Sequence, residues 1–232
     1  MSTQIENATV QLTGGSFHYR RAGSPELPPL ILLHALTADS TSWDAVIGAL
    51  SARFRVLALD QRGHGRSPRA ADYSFAAMRD DATEFADALG IERFHLIGHS
   101  MGATVAFLAA QSIPKRIETL IIEDTVPPWV GAELPELPPS PPAGISYDWQ
   151  AVRQYFAQLS EPDPLWWERL PAITAPTLII GGGTTSPVPQ DRLCEAAKRV
   201  GNAKLLTIQG AGHHVHATRL PEFLAAVQAF LP

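Results

Sequence analysis

Residues 94–110 read FHLIGHSMGATVAFLAA, and this stretch decides the fold. Its first four residues form a mostly apolar run typical of a buried strand, and residues 103–110 are mostly small, apolar helix formers. Between the two runs stands Gly-x-Ser-x-Gly, at residues 98–102. A strand, this motif and then a helix are together typical of a nucleophile elbow, which exposes a reactive serine at a sharp turn.

The geometry of such a turn explains its residue types. A strand-to-helix turn this tight forces Ser100 into a strained backbone conformation. We expect glycine at positions 98 and 102 because a Cβ on Gly98 or Gly102 would collide with the neighbouring strand or helix. The N–H of Met101 lies at the start of the helix, where unpaired donors and the helix dipole favour a negatively charged oxygen. Ser100 is therefore the candidate nucleophile, and Met101 N–H a candidate oxyanion donor.

Composition and charge limit the classes of protein to which the chain can belong. Its 232 residues, 45% of them hydrophobic and 18% charged, suit one folded α/β domain with a substantial core. The net charge of −5 and the lack of a basic run argue against nucleic acid or an anionic membrane surface as a partner. Residues 1–9 lack the pattern of a signal peptide and no run is long enough to span a membrane, so we expect a cytoplasmic protein. The single cysteine, Cys194, has the setting of an inert, packed thiol.

Strands and helices alternate along the chain. After a hairpin around residues 14–15, the predicted strands are near-continuous apolar runs at residues 30–34, 55–59, 94–97, 119–122, 177–180 and 204–208. Such strands, separated by amphipathic helices, predict a mostly parallel sheet with helices on both faces. Sites in these sheets lie at the carboxyl ends of the strands. Polar motifs follow the strands at His34, Asp60, Ser100, Asp124, Ser186 and His213.

Five motifs, taken in chain order, resemble the α/β-hydrolase superfamily across nearly the whole chain. They are Leu33-His34-Ala35, Asp60-x-Arg62-Gly63-x-Gly65-x-Ser67, the Gly-x-Ser-x-Gly motif, a carboxylate after the next strand, and Gly212-His213. The resemblance implies an α/β-hydrolase core formed by residues 1–124 and 176–232, with a small helical cap at residues 125–175. It makes the N–H of Leu36 the second oxyanion donor beside Met101. It also makes His213 the general base, in the family's order Ser, Asp or Glu, His.

The acid departs from the family's commonest pattern. The loop after the strand at 177–180 reads GGGTTSPVP and holds no carboxylate. The preceding strand ends in Glu123-Asp124, a position that some hydrolases of this fold use for the acid. Asp124 has the spacing to Pro127 seen in such relatives, whereas Glu123 has the spacing seen in some dehalogenases. We favour Asp124 and keep Glu123 as the alternative.

The serine of the same loop resembles a feature of bacterial short-chain and acyl-CoA esterases. In these relatives a serine stands where the late Asp usually lies, and the acid follows the earlier strand. The resemblance implies that Ser186 assists His213 by hydrogen bonding and completes a tetrad. The alternative is that Ser186 is only a turn residue before Pro187.

Other polar residues near these motifs are interpreted as structural. We expect His34 to brace its loop, and Asp60 and Arg62 to tie loops together. His214 and His216 compete with His213 as the base, and a His-x-His pair could indicate a metal. No carboxylate or cysteine cluster accompanies the pair in the sequence, so we expect neither a metal nor a cofactor.

The cap is predicted to be short, proline-rich and aromatic. Residues 127–142 read PPWVGAELPELPPSPP, which predicts a loop because proline lacks an amide donor. Short helices are predicted at residues 149–159 and within 164–170. Most aromatic side chains here should pack the cap against the core, with one or two lining the acyl pocket. The candidates for substrate binding are Trp129, Trp166 and Trp167.

These features together predict a serine hydrolase that cleaves small-molecule esters or thioesters with small to medium acyl groups through an acyl-enzyme. Haloalkane dehalogenases and epoxide hydrolases of the same fold need an Asp nucleophile, which Ser100 replaces. A lactonase, a carbon–carbon bond hydrolase or a cofactor-free haloperoxidase remains an alternative on the same triad. From another class, the fold can serve as a non-catalytic binder of small molecules.

Overall fold

The computed structural model describes residues 4–232, which are organised around one eight-stranded sheet. The strand order is β1-β2-β4-β3-β5-β6-β7-β8. β1 and β2 form an antiparallel hairpin, β2 pairs antiparallel with β4, and every later pairing is parallel. The predicted mostly parallel sheet is therefore confirmed. The strands are β1 (Glu6–Leu12), β2 (Gly15–Ala22), β3 (Pro29–Leu33), β4 (Arg55–Leu59), β5 (Phe94–His99), β6 (Ile117–Glu123), β7 (Thr177–Gly181) and β8 (Ala203–Thr207).

Helices cover both faces of the sheet. Side chains of α2, α3 and α6 join one hydrophobic cluster, and side chains of α1 and α8 join a second. Within residues 4–232, no helix combines the length and hydropathy that crossing a membrane demands. The helices are α1 (Asp44–Leu50), α2 (Phe75–Ala88), α3 (Met101–Ser112), α4 (Trp149–Ser160), α5 (Leu165–Glu168), α6 (Gln190–Val200), α7 (Val215–Thr218) and α8 (Leu220–Phe230).

Strand β3 is apolar at every position because both of its faces are buried. In β3, Ile31 and Leu33 belong to one cluster, whereas Leu30 and Leu32 belong to the other. Successive side chains of a strand point to opposite faces, so a strand between two helical layers needs apolar residues at both. Truncating one such side chain to alanine costs about 2–5 kcal/mol of stability, since the cavity left behind collapses only partly.

The segment between β6 and β7 lies over the carboxyl ends of the strands. Neither helix nor strand occurs between Glu123 and Trp149, so the predicted proline-rich loop is confirmed within the part of the chain that is described. The following helix, α4, is tied to the core by two glutamines one turn apart. Gln154 Oε1 accepts the N–H of Tyr73 at 2.8 Å, and Gln158 Oε1 accepts the N–H of Phe75 at the same distance. These bonds hold α4 against the start of α2.

Candidate active site

The turn between β5 and α3 has the strain that the motif predicts. Ser100 has φ 52° and ψ −117°, in the left-handed half of backbone space that side chains other than glycine rarely adopt. A Cβ on Gly98 would lie 2.6 Å from the Cα of Ala103, and one on Gly102 would lie 2.7 Å from the carbonyl oxygen of His34. Both predicted collisions are confirmed. The two glycines therefore allow α3 to begin directly against the ends of β3 and β5.

His213 joins Ser100 to Asp124. Its Nε2 lies 2.9 Å from Ser100 Oγ, and its Nδ1 lies 2.8 Å from Asp124 Oδ2. The loop before His213 turns through two glycines, Gly210 at φ 71° and Gly212 at φ 68°. Because only glycine adopts such angles without strain, these two positions let the loop reach back over the sheet. The three side chains have the relative placement of a nucleophile, a base and the acid that orients the base.

The carboxylate of Asp124 is fully buried and each of its oxygens has a partner. Oδ1 accepts the N–H of Gly182 at 2.7 Å, and Oδ2 accepts the hydroxyl of Ser186 at 2.5 Å in addition to contacting His213. A buried charge needs such partners, because an unpaired one would be costly. The predicted bond from Ser186 to His213 is therefore corrected. β7 lies beside β6, so the loop after β7 brings this hydroxyl to the carboxylate rather than to the imidazole.

Glu123, the alternative acid, contacts a different histidine. Its carboxylate lies 2.8 Å from Nδ1 of His216 and accepts the N–H of His216 at 2.9 Å. Burial alone would raise the pKa of Glu123, but the neighbouring imidazoles of His99 and His216 bring it below its ordinary value. The geometry thus pairs Asp124, and not Glu123, with His213.

The expectation that no carboxylate accompanies the His-x-His pair is corrected by the same contacts. In the sequence, His216 is two residues away from His214. In the folded protein, His216 lies next to Glu123 and His99. One potential ligand atom from each of these three side chains lies within 4.8 Å of the others. These residue types bind metal ions, but here both oxygens of Glu123 are engaged in hydrogen bonds to His216. In the sequence, the only sign of this cluster was that one of its members, His99, lies inside the Gly-x-Ser-x-Gly motif.

The two candidate oxyanion donors lie on adjoining turns. The N–H of Gly102 donates to the carbonyl oxygen of His34 at 3.2 Å, which joins the end of β3 to the first turn of α3. Neither Leu36 N–H nor Met101 N–H has an acceptor among residues 4–232. Free N–H groups beside a nucleophile are the arrangement that holds a developing oxyanion.

A cavity of about 280 Å³ opens beside Ser100 and His213. Most of its lining is apolar and comes from the loop after β6, from α4 and from the loop after β7. Burial raises the pKa of the Tyr155 hydroxyl to about 12, and the neighbouring Ser100 hydroxyl opposes this shift. The remaining lining residues are Thr104, Thr125, Val126, Pro128, Trp129, Ala132, Glu133, Leu134, Pro135, Phe156, Leu159, Pro187 and Val188.

Of the three tryptophans proposed for substrate binding, only Trp129 lines this cavity. Trp166 packs edge-on against Phe75, with ring centroids 5.4 Å apart. The indole N–H of Trp167 contacts the carbonyl oxygens of Pro127 and Pro128, at 3.0 Å each. The expectation for Trp166 and Trp167 is corrected, because both side chains brace the cap. Tyr155, Phe156 and Leu159 line the cavity from α4, and their helical spacing was the signal for a shared face.

The residues interpreted as structural do hold loops together. Asp60 accepts the N–H groups of Ser40 at 2.7 Å and Arg66 at 2.9 Å. His34 Nε2 accepts the N–H of Gln61 at 3.0 Å, and burial lowers the pKa of His34 so that this ring is neutral. Arg62 forms a two-pronged ion pair with Asp81 on α2. These three predictions are confirmed.

Comparison with known proteins supports this reading of the fold. Residues 28–164 match the family described as the alpha/beta hydrolase fold. The chain is 27% identical to the sn-1-specific diacylglycerol lipase ABHD11 of Mus musculus, over 90% of this chain and 82% of that protein. It is 36% identical to the soluble epoxide hydrolase of Corynebacterium sp., over 55% of this chain and 44% of that protein.

Solved structures give the same picture over almost the whole chain. A hydrolase from Pseudomonas aeruginosa PA01 superposes with a TM-score of 0.78 at 25% identity, covering 97% of this chain and 98% of its own. A bacterial membrane phospholipase A superposes with a TM-score of 0.81 at 24% identity, covering 97% and 85%. The second likeness bears on the fold alone.

Proposed function

The chain is a hydrolase that belongs to the α/β-hydrolase family, and we propose that it cleaves carboxylic esters or thioesters of small to medium acyl groups through a covalent acyl-enzyme. One observation carries this proposal. His213 lies within hydrogen-bond distance of both Ser100 Oγ and Asp124 Oδ2, at 2.9 and 2.8 Å. A serine activated by an oriented imidazole is the nucleophile of acyl transfer.

The first half of the reaction transfers the acyl group to the enzyme. Ser100 Oγ attacks the carbonyl carbon while its proton passes to Nε2 of His213. Asp124 accepts the Nδ1–H of His213, which selects the reactive tautomer and stabilises the imidazolium. The N–H groups of Leu36 and Met101 hold the oxyanion, and each such donor contributes about 3 kcal/mol to lowering the barrier.

Departure of the leaving group completes the acyl transfer, and water then regenerates the serine. His213 gives its proton to the leaving alcohol or thiol, which departs as the tetrahedral intermediate collapses. His213 then takes a proton from water as the water oxygen attacks the acyl carbon. The second tetrahedral intermediate collapses as His213 returns this proton to Ser100 Oγ, which releases the acid and restores Ser100. Groups of this chain and one water molecule account for every bond and proton in this scheme.

The volume and the lining of the cavity favour an acyl group that is uncharged and of limited size. Its volume of about 280 Å³ is at the small end of ligand pockets, and Glu133 is the one carboxylate among its lining residues, which include no Lys or Arg. An acyl chain therefore gains from burial, whereas an anionic one would have no cation to meet it. The mouse relative is named a diacylglycerol lipase, which also supports an ester as substrate.

The test combines covalent labelling with a substrate series. A fluorophosphonate probe should label Ser100 in the wild-type protein, and p-nitrophenyl esters from acetate to palmitate should be cleaved fastest at butyrate to octanoate. Ser100→Ala should abolish labelling and lower turnover by about a thousandfold or more, because triad members act as a unit. Ser112→Ala, at the exposed end of the same helix, is the matched control and should behave as the wild type. A folded Ser100→Ala protein with a tenth of the wild-type turnover would contradict the nucleophile, and fastest cleavage of long-chain triglycerides would contradict the substrate class.

A further inference from the structure

A second polar cluster lies directly behind the triad and has no part in the scheme above. His99 ends β5, Glu123 ends β6 and His216 lies on α7. Their exposed fractions are 1%, 0% and 5%. The indole of Trp43 stacks on the ring of His216, with centroids 4.3 Å apart. Polar groups buried this deeply need hydrogen-bond partners. The partners of these three side chains therefore indicate which part of the chain they hold in place.

The cluster forms hydrogen bonds to the backbone of the loop that carries His213. His99 Nε2 lies 2.7 Å from the carbonyl oxygen of His213. Three residues further on, Glu123 accepts both the backbone N–H and the ring Nδ1–H of His216. Because a carbonyl can only accept, His99 must carry its proton on Nε2. The loop is therefore held from β5 at residue 213 and from β6 at residue 216.

This restraint adds to the one before His213, where the N–H of Gly212 donates to the carbonyl oxygen of Gly182 at 3.0 Å. Gly210 and Gly212 occupy left-handed conformations and restrict the chain little. The imidazole must nevertheless keep two hydrogen bonds at once, to Ser100 and to Asp124. A displacement of about 1 Å in a reacting group can cost roughly a hundredfold in rate.

We propose that His99 and Glu123 are positioning residues, which hold the loop so that the imidazole of His213 bridges Ser100 and Asp124. The inference rests on the proposed function, since it assigns these residues to the same acyl transfer. His99 acts as a neutral donor, in keeping with its complete burial, which lowers its pKa to about 4. The contact therefore needs an N–H at this point and no charge.

The need for a donor without a charge defines a matched pair of variants. In His99→Gln the side-chain amide places an N–H where the Nε2–H of histidine stood. In His99→Met a side chain of similar volume lacks any donor. If His99 only filled space, the apolar methionine would be tolerated at least as well as the buried amide. If it positions the loop, glutamine should be the better replacement.

His95 is the control on the same strand. It is 5% exposed and contacts the hydroxyl of Thr119 on β6 at 2.8 Å, away from the loop of His213. His95→Met therefore removes a buried imidazole and a hydrogen bond between β5 and β6 without touching that loop. It should lower the melting temperature and leave kcat as in the wild type.

The experiment measures kcat and KM on a p-nitrophenyl ester together with thermal unfolding. His99→Met should lower kcat by about ten- to a hundredfold with KM within about twofold, and His99→Gln should recover kcat to within about threefold of the wild type. Methionine as active as histidine, or glutamine as poor as methionine, would overturn the proposal. If His99→Met does not fold, Glu123→Asp withdraws the carboxylate from His216 by one methylene and must lower kcat in the same way.

Proton NMR separates this inference from the function on which it rests. The Nδ1–H of His213 in its bond to Asp124 should give a downfield resonance, identified by its loss in Asp124→Asn. The resonance should persist in His99→Gln and vanish in His99→Met, whether or not the protein cleaves the ester. A wild type that shows this pattern without esterase activity would refute the proposed function alone. An active protein in which His99→Met retains both the resonance and kcat would refute the positioning role alone.

Discussion

The hydroxyl of Ser186 lies 2.5 Å from Oδ2 of Asp124, the same oxygen that contacts Nδ1 of His213. Gly182 N–H donates to the other oxygen, so the carboxylate is held on both sides. Hydrogen bonds from two sides restrain the rotation of this carboxylate. Ser186 therefore contacts Asp124, and not His213, and it does so from the loop after β7.

Removing this hydroxyl should slow the reaction without stopping it. Ser186→Ala is expected to lower kcat by about tenfold with little change in KM, because one hydrogen bond to a charged group contributes about 1.5 kcal/mol. Ser186→Thr retains a hydroxyl at an extended backbone position, with φ −80° and ψ 144°, and should stay close to wild type. Equal kcat values for the alanine and threonine variants would argue against the role given to this hydroxyl.

The two neighbouring carboxylates should respond very differently to neutralisation. Asp124→Asn is expected to lower kcat by about a hundredfold or more, since an amide facing Nδ1 selects the wrong tautomer of His213. Asparagine is a clean replacement here, because Asp124 has φ 45° and Asn tolerates left-handed angles. Glu123→Gln keeps an oxygen for the N–H of His216 and should lower kcat by less than about tenfold. Circular dichroism checks that both variants fold, and the reverse order of effects would assign the acid to Glu123.

Adding a methyl group at the elbow should destabilise the protein, whereas adding one within another helix should not. Gly98→Ala would place a Cβ 2.6 Å from the backbone of Ala103, so we expect a loss of at least about 3 kcal/mol in unfolding free energy or failure to fold. Gly48 lies within α1, has no atom near its Cβ position and is the matched control. Gly48→Ala should stabilise the protein by about 0.5–1 kcal/mol. Urea unfolding measures both, and a stable Gly98→Ala protein would show that the turn can shift.

A bulky side chain in the cavity should shorten the preferred acyl chain. Val188→Trp adds volume to the lining, whereas Val130→Trp adds it to a side chain of the same type that is 80% exposed outside this cavity. The first variant should lose kcat/KM on octanoate by about tenfold while its activity on acetate changes little, and the second should match the wild type. Activity on p-nitrophenyl esters of increasing length measures the shift. An unchanged chain-length profile in Val188→Trp would mean that the acyl group does not bind in this cavity.

Buried neutral histidines should make the protein sensitive to mild acid. Burial lowers the pKa of His64 to about 3 and that of His99 to about 4. Both rings bind a proton more readily when the chain is unfolded, so unfolding free energy should fall as pH drops from about 6.5 towards 4, by up to about 1.4 kcal/mol per pH unit for each ring. The pKa values of Asp60 and Glu123 are lowered, so protonation of these two groups reduces the unfolding free energy further only below about pH 4.5.

A single substitution separates one histidine from the other groups. In His64→Asn the amide can still donate to the carbonyl of Arg62, which His64 Nδ1 contacts at 2.9 Å, but it does not titrate. Urea titrations between pH 5 and 7.5, above the range in which Asp60 and Glu123 contribute, should give a shallower slope for this variant. A slope equal to that of the wild type would mean that His64 is not buried as a neutral ring.

The sequence alone determined those features that depend on local patterns. The continuous apolar runs predicted the parallel sheet, because a strand buried on both faces cannot alternate. The glycines at 98 and 102 predicted the elbow, because any Cβ would meet backbone there. The absence of a carboxylate after β7, together with the resemblance to hydrolases that carry the acid after the preceding strand, directed the expected acid to Glu123-Asp124. The first two inferences use neighbours in the chain, whose relative geometry is limited by the backbone itself.

Only the tertiary structure decided which side chains meet across separate elements. It turned Asp124 towards His213 and Glu123 towards His216, although the two carboxylates are adjacent in the chain. It also brought Ser186 to Asp124 and turned Trp166 and Trp167 away from the cavity. Such contacts depend on strand register, on sheet twist and on the angle at which each loop leaves its strand. A difference of one residue reverses the direction of a strand side chain, so the spacing of residues along the chain leaves these partners open.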